Sequence, residues 1–227
     1  MNLTAQQKKI CEQIINVFES GSLQGDYSAI SIYRDGPHGM RQVTYGRSQT
    51  TEYGNLETLV QMYVDRNGLY SAQLKPYIDK IGVVPLADDA GFKKCLREAA
   101  KKDPIMREVQ DDFFDQRYFQ KAMKWASGQE FTLPLSALVI YDSFIHSGSI
   151  LDFLRKRFPE SPPVKNGNEK VWIKQYVDAR EAWLSTHPNK ILQKTVYRTQ
   201  CFKQEIAKDN WDLSKLPIIA NGISVTG

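Results

Sequence analysis

Apolar side chains recur every three to four residues along most of the chain, a period that predicts a mainly helical protein. The first such stretch, residues 4–20, carries Ile10 and Ile14 on one face. Thr4 and Gln7 are spaced as in an N-terminal capping box, which predicts that the helix begins there. A glycine directly after residue 20 predicts where the helix ends.

Further helical segments with this period follow after residue 55. Pro76 predicts a kink or an end, and Pro104 predicts the start of a helix. Residues 133–148 are apolar on nearly every side, which is typical of a helix that is buried all round. Residues 216–227 are expected to form an irregular or strand-like cap. The predicted helical segments are 56–68, 69–82, 90–103, 103–127, 133–148, 169–187 and 194–209.

Residues 29–54 show a different pattern. Two runs rich in Ile, Tyr, Val and Thr flank the sequence Asp-Gly-Pro-His-Gly. Such runs on either side of a turn-forming cluster predict two strands joined by a loop. This is the one clear β-signal, so the chain is expected to be α-rich with a single small hairpin.

Composition excludes several classes of protein. The chain has 227 residues, 41% of them hydrophobic, and 30 Lys and Arg against 26 Asp and Glu give a net charge of +4. This balance is ordinary for a globular chain and unlike that of a disordered one. The small, dispersed charge does not favour nucleic acid as a partner. A run of 18 apolar residues is absent, so no membrane span is expected.

The cysteines bear on disulfide bonds and zinc binding, and the N-terminal segment bears on the export route. Cys11, Cys95 and Cys201 are too few and too scattered for a disulfide framework or a zinc site, although one disulfide stays open. They are expected to be small core or surface residues. The N-terminal segment is amphipathic and lacks the apolar centre of a signal peptide, so trimming, another export route or residence inside the cell all stay open.

Two carboxyl groups stand at the ends of neighbouring predicted elements. Glu19 ends the first helix, Asp35 ends the first strand, and Thr44 lies on the return strand. Glycosidic cleavage needs one protonated carboxyl group and one ionised carboxylate, each in its own environment. Among 26 acidic residues, however, the spacing alone favours a solvated helix-end Glu and a turn-forming Asp-Gly over a catalytic pair.

Four sequence segments, in order along the chain, together resemble the family 46 chitosanases, which belong to the lysozyme-like superfamily. The first runs from Glu-Ser-Gly-Ser-Leu through Val-Thr-Tyr-Gly-Arg, and its hairpin also resembles that of phage lysozymes. The others are DPIMREVQDDFFDQRYFQKA, ALVIYDSFIHSG and YVDAR. The resemblance covers about residues 10 to 205.

The resemblance implies roles for the three residues named above. Glu19 would be the general acid and Asp35 the general base of an inverting hydrolase, and Thr44 would help to hold the attacking water. In such enzymes the two carboxyl groups lie roughly 6.5–9.5 Å apart. No metal or organic cofactor is implied, because the two carboxyl groups suffice.

The later segments imply a supporting network. Asp142 and Arg180 match a buried charged pair that supports the acid in the family, and Arg198 is the expected third member. An aspartate in so apolar a helix must in any case be paired, which a purely structural salt bridge would also achieve.

Substrate contacts are expected from Tyr33, Arg34, Asn55 and His146. Tyr33 is expected to stack on or hydrogen-bond a sugar ring, although a strand aromatic is often simply half-buried. Asn55 stands where the family usually has an acidic residue that grips the amino group of glucosamine. His146 is offset from the family's His-Gly pair, and a lone histidine in a helical turn is more often structural.

The implied fold is mainly α, of the α+β lysozyme-like kind. We expect one bilobal catalytic domain over residues 1–227, with two helical lobes joined by a long helix and a cleft beside the hairpin. The minor lobe would comprise about residues 28–85. The major lobe would comprise the N-terminal helix and residues 90–227.

Three functions are compared for this chain. The resemblance favours an endo-acting hydrolase of the β-1,4 bonds of chitosan, monomeric and secreted, with this polysaccharide as its partner. A lysozyme-like peptidoglycan hydrolase is the alternative, because the hairpin carries Arg34, Arg41 and Arg47 and peptidoglycan is anionic. A catalytically silent glycan-binding domain is the third possibility, and the presence of Glu19, Asp35 and Thr44 argues against it.

Overall fold

The helices and strands fall into two units, each with its own interior. A computed structural model describes residues 1–47 and 49–227, and Ser48, inside the predicted strand segment, lies outside the described residues. One unit comprises residues 25–115 and the other comprises residues 1–24 and 116–227. The predicted mainly helical fold with a small antiparallel sheet is confirmed.

The unit of residues 25–115 contains the predicted hairpin. Its strands β1 (Ile30–Tyr33) and β2 (Gln42–Tyr45) pair antiparallel. A third strand, β3 (Thr50–Thr51), pairs with β2 on its other side. Two residues are too few to show an alternating pattern, so the sequence did not reveal β3. Within β2, Val43 and Tyr45 are fully buried.

In the described part of this unit, the other elements are four α-helices and two 3₁₀ segments, the first of which, Pro37–Gly39, lies between β1 and β2. Leu59, Phe92 and Leu96 belong to the same buried cluster as Val43 of β2. The segment around Pro76 ends one short helix and continues as a 3₁₀ turn, because proline lacks the N–H that an α-helix needs. The elements after β3 are α2 (Leu56–Asp65), α3 (Ser71–Leu74), a 3₁₀ turn (Lys75–Lys80), α4 (Ala90–Lys102) and α5 (Pro104–Phe114).

The boundary between the units differs from the expected lobes. The sequence predicts that the major lobe begins again at residue 90, but residues 90–115 group with the sheet. The physical reason is that the apolar faces of α4 and α5, including Ala99 and Val109, complete the core around β2. That the whole chain forms one catalytic domain stays a prediction.

The first helix of the other unit is α1 (Ala5–Ser20). The expected capping box is present: the Gln7 N–H donates to Thr4 Oγ1 at 3.2 Å, and the Thr4 N–H donates to Gln7 Oε1 at 2.9 Å. Gly21 ends the helix with φ 68°, a left-handed conformation that glycine adopts at little cost.

The remaining helices of this unit begin after a π-helical turn, Asp115–Phe119, that the sequence pattern did not predict. In α7 the first ten residues are all buried, as the apolar sequence predicted. The helices are α6 (Gln120–Gly128), α7 (Pro134–Ser147), α8 (Asp152–Arg155), α9 (Glu169–Ser185), α10 (Lys190–Gln193) and α11 (Tyr197–Ala207), with 3₁₀ turns at Pro163–Lys165 and Lys194–Val196.

The C-terminal segment forms a second hairpin. Strands β4 (Ile218–Ala220) and β5 (Ile223–Val225) pair antiparallel and lie against α11 and α1. The turn residues Asn221 and Gly222 have φ of 44° and 82°, the left-handed pair that a two-residue hairpin requires. The expected strand-like cap is therefore a true hairpin, and the Asn-Gly dipeptide was its signal.

Two further findings concern the described chain as a whole. All three cysteines are free, and Cys11 and Cys201 are buried. None of the helices in residues 1–47 and 49–227 has both the length and the apolar character needed to cross a bilayer.

Candidate active site

Glu19 lies in the last turn of α1, where the helix end presents its carbonyl oxygens. One arginine binds both kinds of acceptor at this helix end. Arg198 of α11 donates to Glu19 Oε1 at 2.5 Å and to the Phe18 carbonyl oxygen at 3.3 Å. A cation at a helix C-terminus is electrostatically favourable. The Glu19 side chain keeps 27% of its surface exposed, so it is held by a buried arginine yet remains accessible.

The same arginine connects Glu19 to a buried aspartate. Arg198 donates through its other nitrogen to Asp142 Oδ1 at 2.7 Å, and Arg180 of α9 donates to Asp142 Oδ2 at 2.6 Å. Asp142 on α7 is completely buried. The structure thus brings together Glu19, Arg198, Asp142 and Arg180 as a chain in which carboxyl and guanidinium groups alternate, which we call the ionic chain.

The arginines decide the charge state of the buried aspartate. Burial raises the pKa of Asp142, but the charges of Arg180 and Arg198 outweigh burial and hold that pKa below its ordinary value. For Arg198, burial acts to lower the pKa, and the carboxylates of Asp142 and Glu19 raise it above the ordinary value. Asp142 is therefore ionised, and its negative charge offsets one of the two arginines.

His146 lies one helical turn beyond Asp142, beside the ionic chain. Neither ring nitrogen has a partner in the described part of the chain, and both are buried. Burial, followed by the charge of Arg180, lowers the pKa of His146 to about 4. The imidazole is therefore neutral near pH 7. Its expected contact with a sugar stays a prediction.

Asp35 lies in the other unit, two residues after the last residue of β1, and is exposed. Gln42, on β2, donates from Nε2 to Asp35 Oδ1 at 2.8 Å. The opposite end of this amide, Oε1, accepts the N–H of Tyr53 at 3.2 Å. Asp35 is thus an exposed carboxylate whose one oxygen is held by a buried amide.

Thr44 lies on the same strand as Gln42, two residues further along. Its side chain is 4% exposed, and Oγ1 has no hydrogen-bond partner in the described residues. A buried hydroxyl with its donor and acceptor unused can accommodate one polar group such as a water molecule. Residues two apart on a strand point to the same face, so Gln42 and Thr44 share one face of β2.

The predicted substrate-binding residues divide between the two units. Tyr33 and Arg34 precede Asp35 at the end of β1, and both are exposed, with 54% of Tyr33 accessible. Asn55 stands directly before α2 and is half-buried, without a side-chain capping bond. These residues belong to the unit that holds Asp35, whereas His146 belongs to the unit of the ionic chain.

Sequence reasoning missed two residues of this site. Gln42 and Tyr53 look like ordinary strand and loop residues, although Gln42 contacts Asp35 directly and Tyr53 is joined to it through Gln42. The alternation Gln-Val-Thr-Tyr over residues 42–45 was the available signal, since it puts two polar side chains on one face of a strand.

A metal-binding cluster is not found in the described residues. Over residues 1–47 and 49–227, no group of three His, Cys, Asp or Glu side chains could hold a metal ion.

Comparison with known proteins identifies a matching family. The model of "Glycosyl hydrolase family 46" matches residues 13–218. A chitosanase of Bacillus subtilis (strain 168) is 28% identical over 194 residues, which cover 78% of this chain and 67% of that protein.

Two solved structures show the shared fold. The Gynuella sunshinyii family 46 chitosanase in complex with chitotetraose is 24% identical, with a TM-score of 0.77 and 98% of each chain covered. A mutant chitosanase of Bacillus subtilis MY002, complexed with 6 GlcN, is 22% identical, with a TM-score of 0.79. That alignment covers 99% of this chain and 100% of the other.

Proposed function

The chain belongs to glycosyl hydrolase family 46, and we propose that it is an endo-acting enzyme that cleaves the β-1,4 bonds of chitosan. The observation that carries this proposal is the family match over residues 13–218, which includes both Glu19 and Asp35. The relatives named above are chitosanases, one of them described with chitotetraose and another with 6 GlcN.

Glu19 is the general acid in this proposal. Its carboxyl O–H donates a proton to the glycosidic oxygen while the bond from that oxygen to C1 breaks. The ionic chain supports this role: Arg198 is ready to stabilise the carboxylate that forms when the proton leaves. Asp142 accepts a hydrogen bond from the same arginine, so the guanidinium is shared between two carboxyl groups.

Asp35 is the general base. It removes a proton from a water molecule whose oxygen attacks C1 on the face opposite to the departing oxygen, so the anomeric configuration inverts. Thr44 supplies an unused hydroxyl near the end of the same sheet, which supports a role in holding that water. Tyr33 and Arg34, exposed beside Asp35, are available to contact neighbouring sugar units.

A paired digestion tests the activity and the acid together. Wild-type protein and Glu19→Gln are incubated with highly deacetylated chitosan and with purified peptidoglycan, and soluble products are identified by mass spectrometry. Glucosamine oligomers are expected from the wild type. Their rate of release should fall by several decades, about 10³-fold or more, in Glu19→Gln, because an amide cannot donate as the acid does.

Glu12→Gln is the matched control for this experiment. Glu12 lies on the same helix and pairs with Lys8 at 3.9 Å, so its substitution should leave the rate unchanged. Release of muropeptides without glucosamine oligomers would show that the substrate is peptidoglycan and not chitosan. Near wild-type activity of Glu19→Gln would remove Glu19 from the role of acid.

A further inference from the structure

We propose that Gln42 is a positioning residue for Asp35, which holds one carboxylate oxygen so that the other faces the attacking water. This inference rests on the proposed function, in which Asp35 is the general base. Gln42 contacts no reacting atom in this proposal, and it acts only through the carboxylate.

The orientation of the Gln42 amide is determined by its partners. The backbone N–H of Tyr53 can only donate, so the end of the amide that faces it must be the oxygen Oε1, at 3.2 Å. The NH₂ end therefore points to Asp35, whose Oδ1 lies 2.8 Å away. A flipped amide would place two donors against each other at Tyr53 and two acceptors against each other at Asp35.

The protein around this amide holds it rigidly. Gln42 is 4% exposed and lies opposite Tyr33 in the pairing of β1 with β2. The segment that carries the Tyr53 N–H is anchored by Glu52, a buried carboxylate that accepts the N–H groups of Val43 at 2.9 Å and Leu86 at 2.7 Å. The amide thus has little freedom to follow Asp35 if that side chain moves.

The loop that carries Asp35 is packed against the same segment. A side chain on the next residue, Gly36, would come within 2.9 Å of the Met40 carbonyl oxygen and 3.1 Å of the Tyr53 ring. The Gly36 N–H also donates to the Met40 oxygen at 3.1 Å. The backbone of Asp35 and the backbone that orients Gln42 are therefore parts of one packed structure.

The chemical consequence concerns the two oxygens of Asp35. Oδ1 accepts the amide, whereas no donor in the described residues contacts Oδ2. In this proposal Oδ2 is the oxygen that accepts the proton of the attacking water. Holding Oδ1 also restricts rotation of the carboxylate, so Oδ2 keeps one direction toward the water.

Two substitutions separate positioning from simple support of the fold. Gln42→Met keeps the length and the burial of the side chain but removes the donor to Asp35. Gln42→Glu keeps an acceptor for the Tyr53 N–H and places a negative charge against Asp35. Chitosan hydrolysis is followed from pH 4 to pH 8, with kcat and KM determined at each pH.

We expect Gln42→Met to lower kcat about tenfold, the effect of losing one hydrogen bond to a charged group, with KM changed less than about twofold. In Gln42→Glu kcat should fall further than in Gln42→Met, because like charges then face each other. Profiles that coincide with wild type in both variants would overturn the inference. Loss of the cooperative melting transition in both would also overturn it, because the amide would then serve the fold.

Gln61→Met is the matched control. Gln61 also donates its amide to a carboxylate, Asp65, at 2.6 Å, but within α2 and away from the sheet. Its pH profile should match that of the wild type. Asp35→Asn separates the two proposals. If this variant stays active, the proposed base is wrong, whereas an inactive Asp35→Asn together with an unchanged kcat in both Gln42 variants refutes the positioning role alone.

Discussion

Arg198 shows how one residue can serve both stability and chemistry. Its guanidinium faces two carboxylates, Asp142 in the interior and Glu19 at the surface. Removing one partner of a buried ion pair leaves a charge in a medium of low polarity, which typically costs about 3–5 kcal/mol. The fold therefore requires this arginine for Asp142, and the orientation that Asp142 imposes leaves a second nitrogen directed at Glu19.

A pH prediction follows from His146, which burial and Arg180 keep neutral. Its pKa is about 4 in the folded protein and 6.5 in an ordinary environment. Between these values the unfolded chain binds the proton and the folded chain does not. The contribution of the neutral His146 to the free energy of unfolding is therefore fully present above pH 6.5 and is lost as the pH falls from 6.5 to about 4.

The measurement is the melting temperature from pH 4 to pH 7. His146→Phe keeps a planar ring but cannot titrate, so its curve should be flatter than that of the wild type over this range. His38→Asn is the control, because His38 is exposed and its φ of 55° suits asparagine. An identical slope in wild type and His146→Phe would contradict the assignment of a neutral, buried His146.

At the scale of elements, the hairpin of β1 and β2 and the hairpin of β4 and β5 were predicted with different success. The first has several β-favouring residues on each side of its turn, and its strands β1 and β2 were recognised. The second has strands of only three residues, and its clearest signal is the turn itself, Asn221-Gly222. Short strands gain their stability from packing, here against α11 and α1, rather than from their own pattern.

Gly222→Ala tests whether the turn geometry matters for stability. Gly222 has φ 82°, and a Cβ atom added there would meet no atom within 4 Å, so only the backbone conformation penalises alanine. We expect a loss of about 1 kcal/mol in the free energy of unfolding by urea. Gly128→Ala, at the end of α6 and equally unobstructed, should be neutral or slightly stabilising. Equal effects of both substitutions would show that the left-handed turn does not limit stability.

At the scale of the whole molecule, the stereochemistry of the reaction tests the proposed mechanism. An inverting enzyme acting on β-linked glucosamine releases the α-anomer first, which proton NMR detects before mutarotation. Asp35→Asn should lose turnover by several decades, about 10³-fold or more, because the amide cannot remove a proton from water. Asp88→Asn, an exposed aspartate paired with Arg41 at 2.9 Å, should keep wild-type turnover. Initial release of the β-anomer would exclude inversion.

The sequence alone determined most of the helices, because helical periodicity and capping depend on residues within one or two turns. It identified α1 with its capping box, the buried α7 and the first hairpin. The ordered family segments also placed Glu19 and Asp35 at the ends of elements, where side chains are free to act.

Only the tertiary structure decided which side chains meet. The contacts of Gln42 with Asp35 and Tyr53 and the grouping of α4 and α5 with the sheet all join residues on different elements or loops. The periodicity of apolar residues within one helix or strand does not indicate such contacts. They depend on which apolar faces close a common core, and on how buried polar groups then find partners inside it.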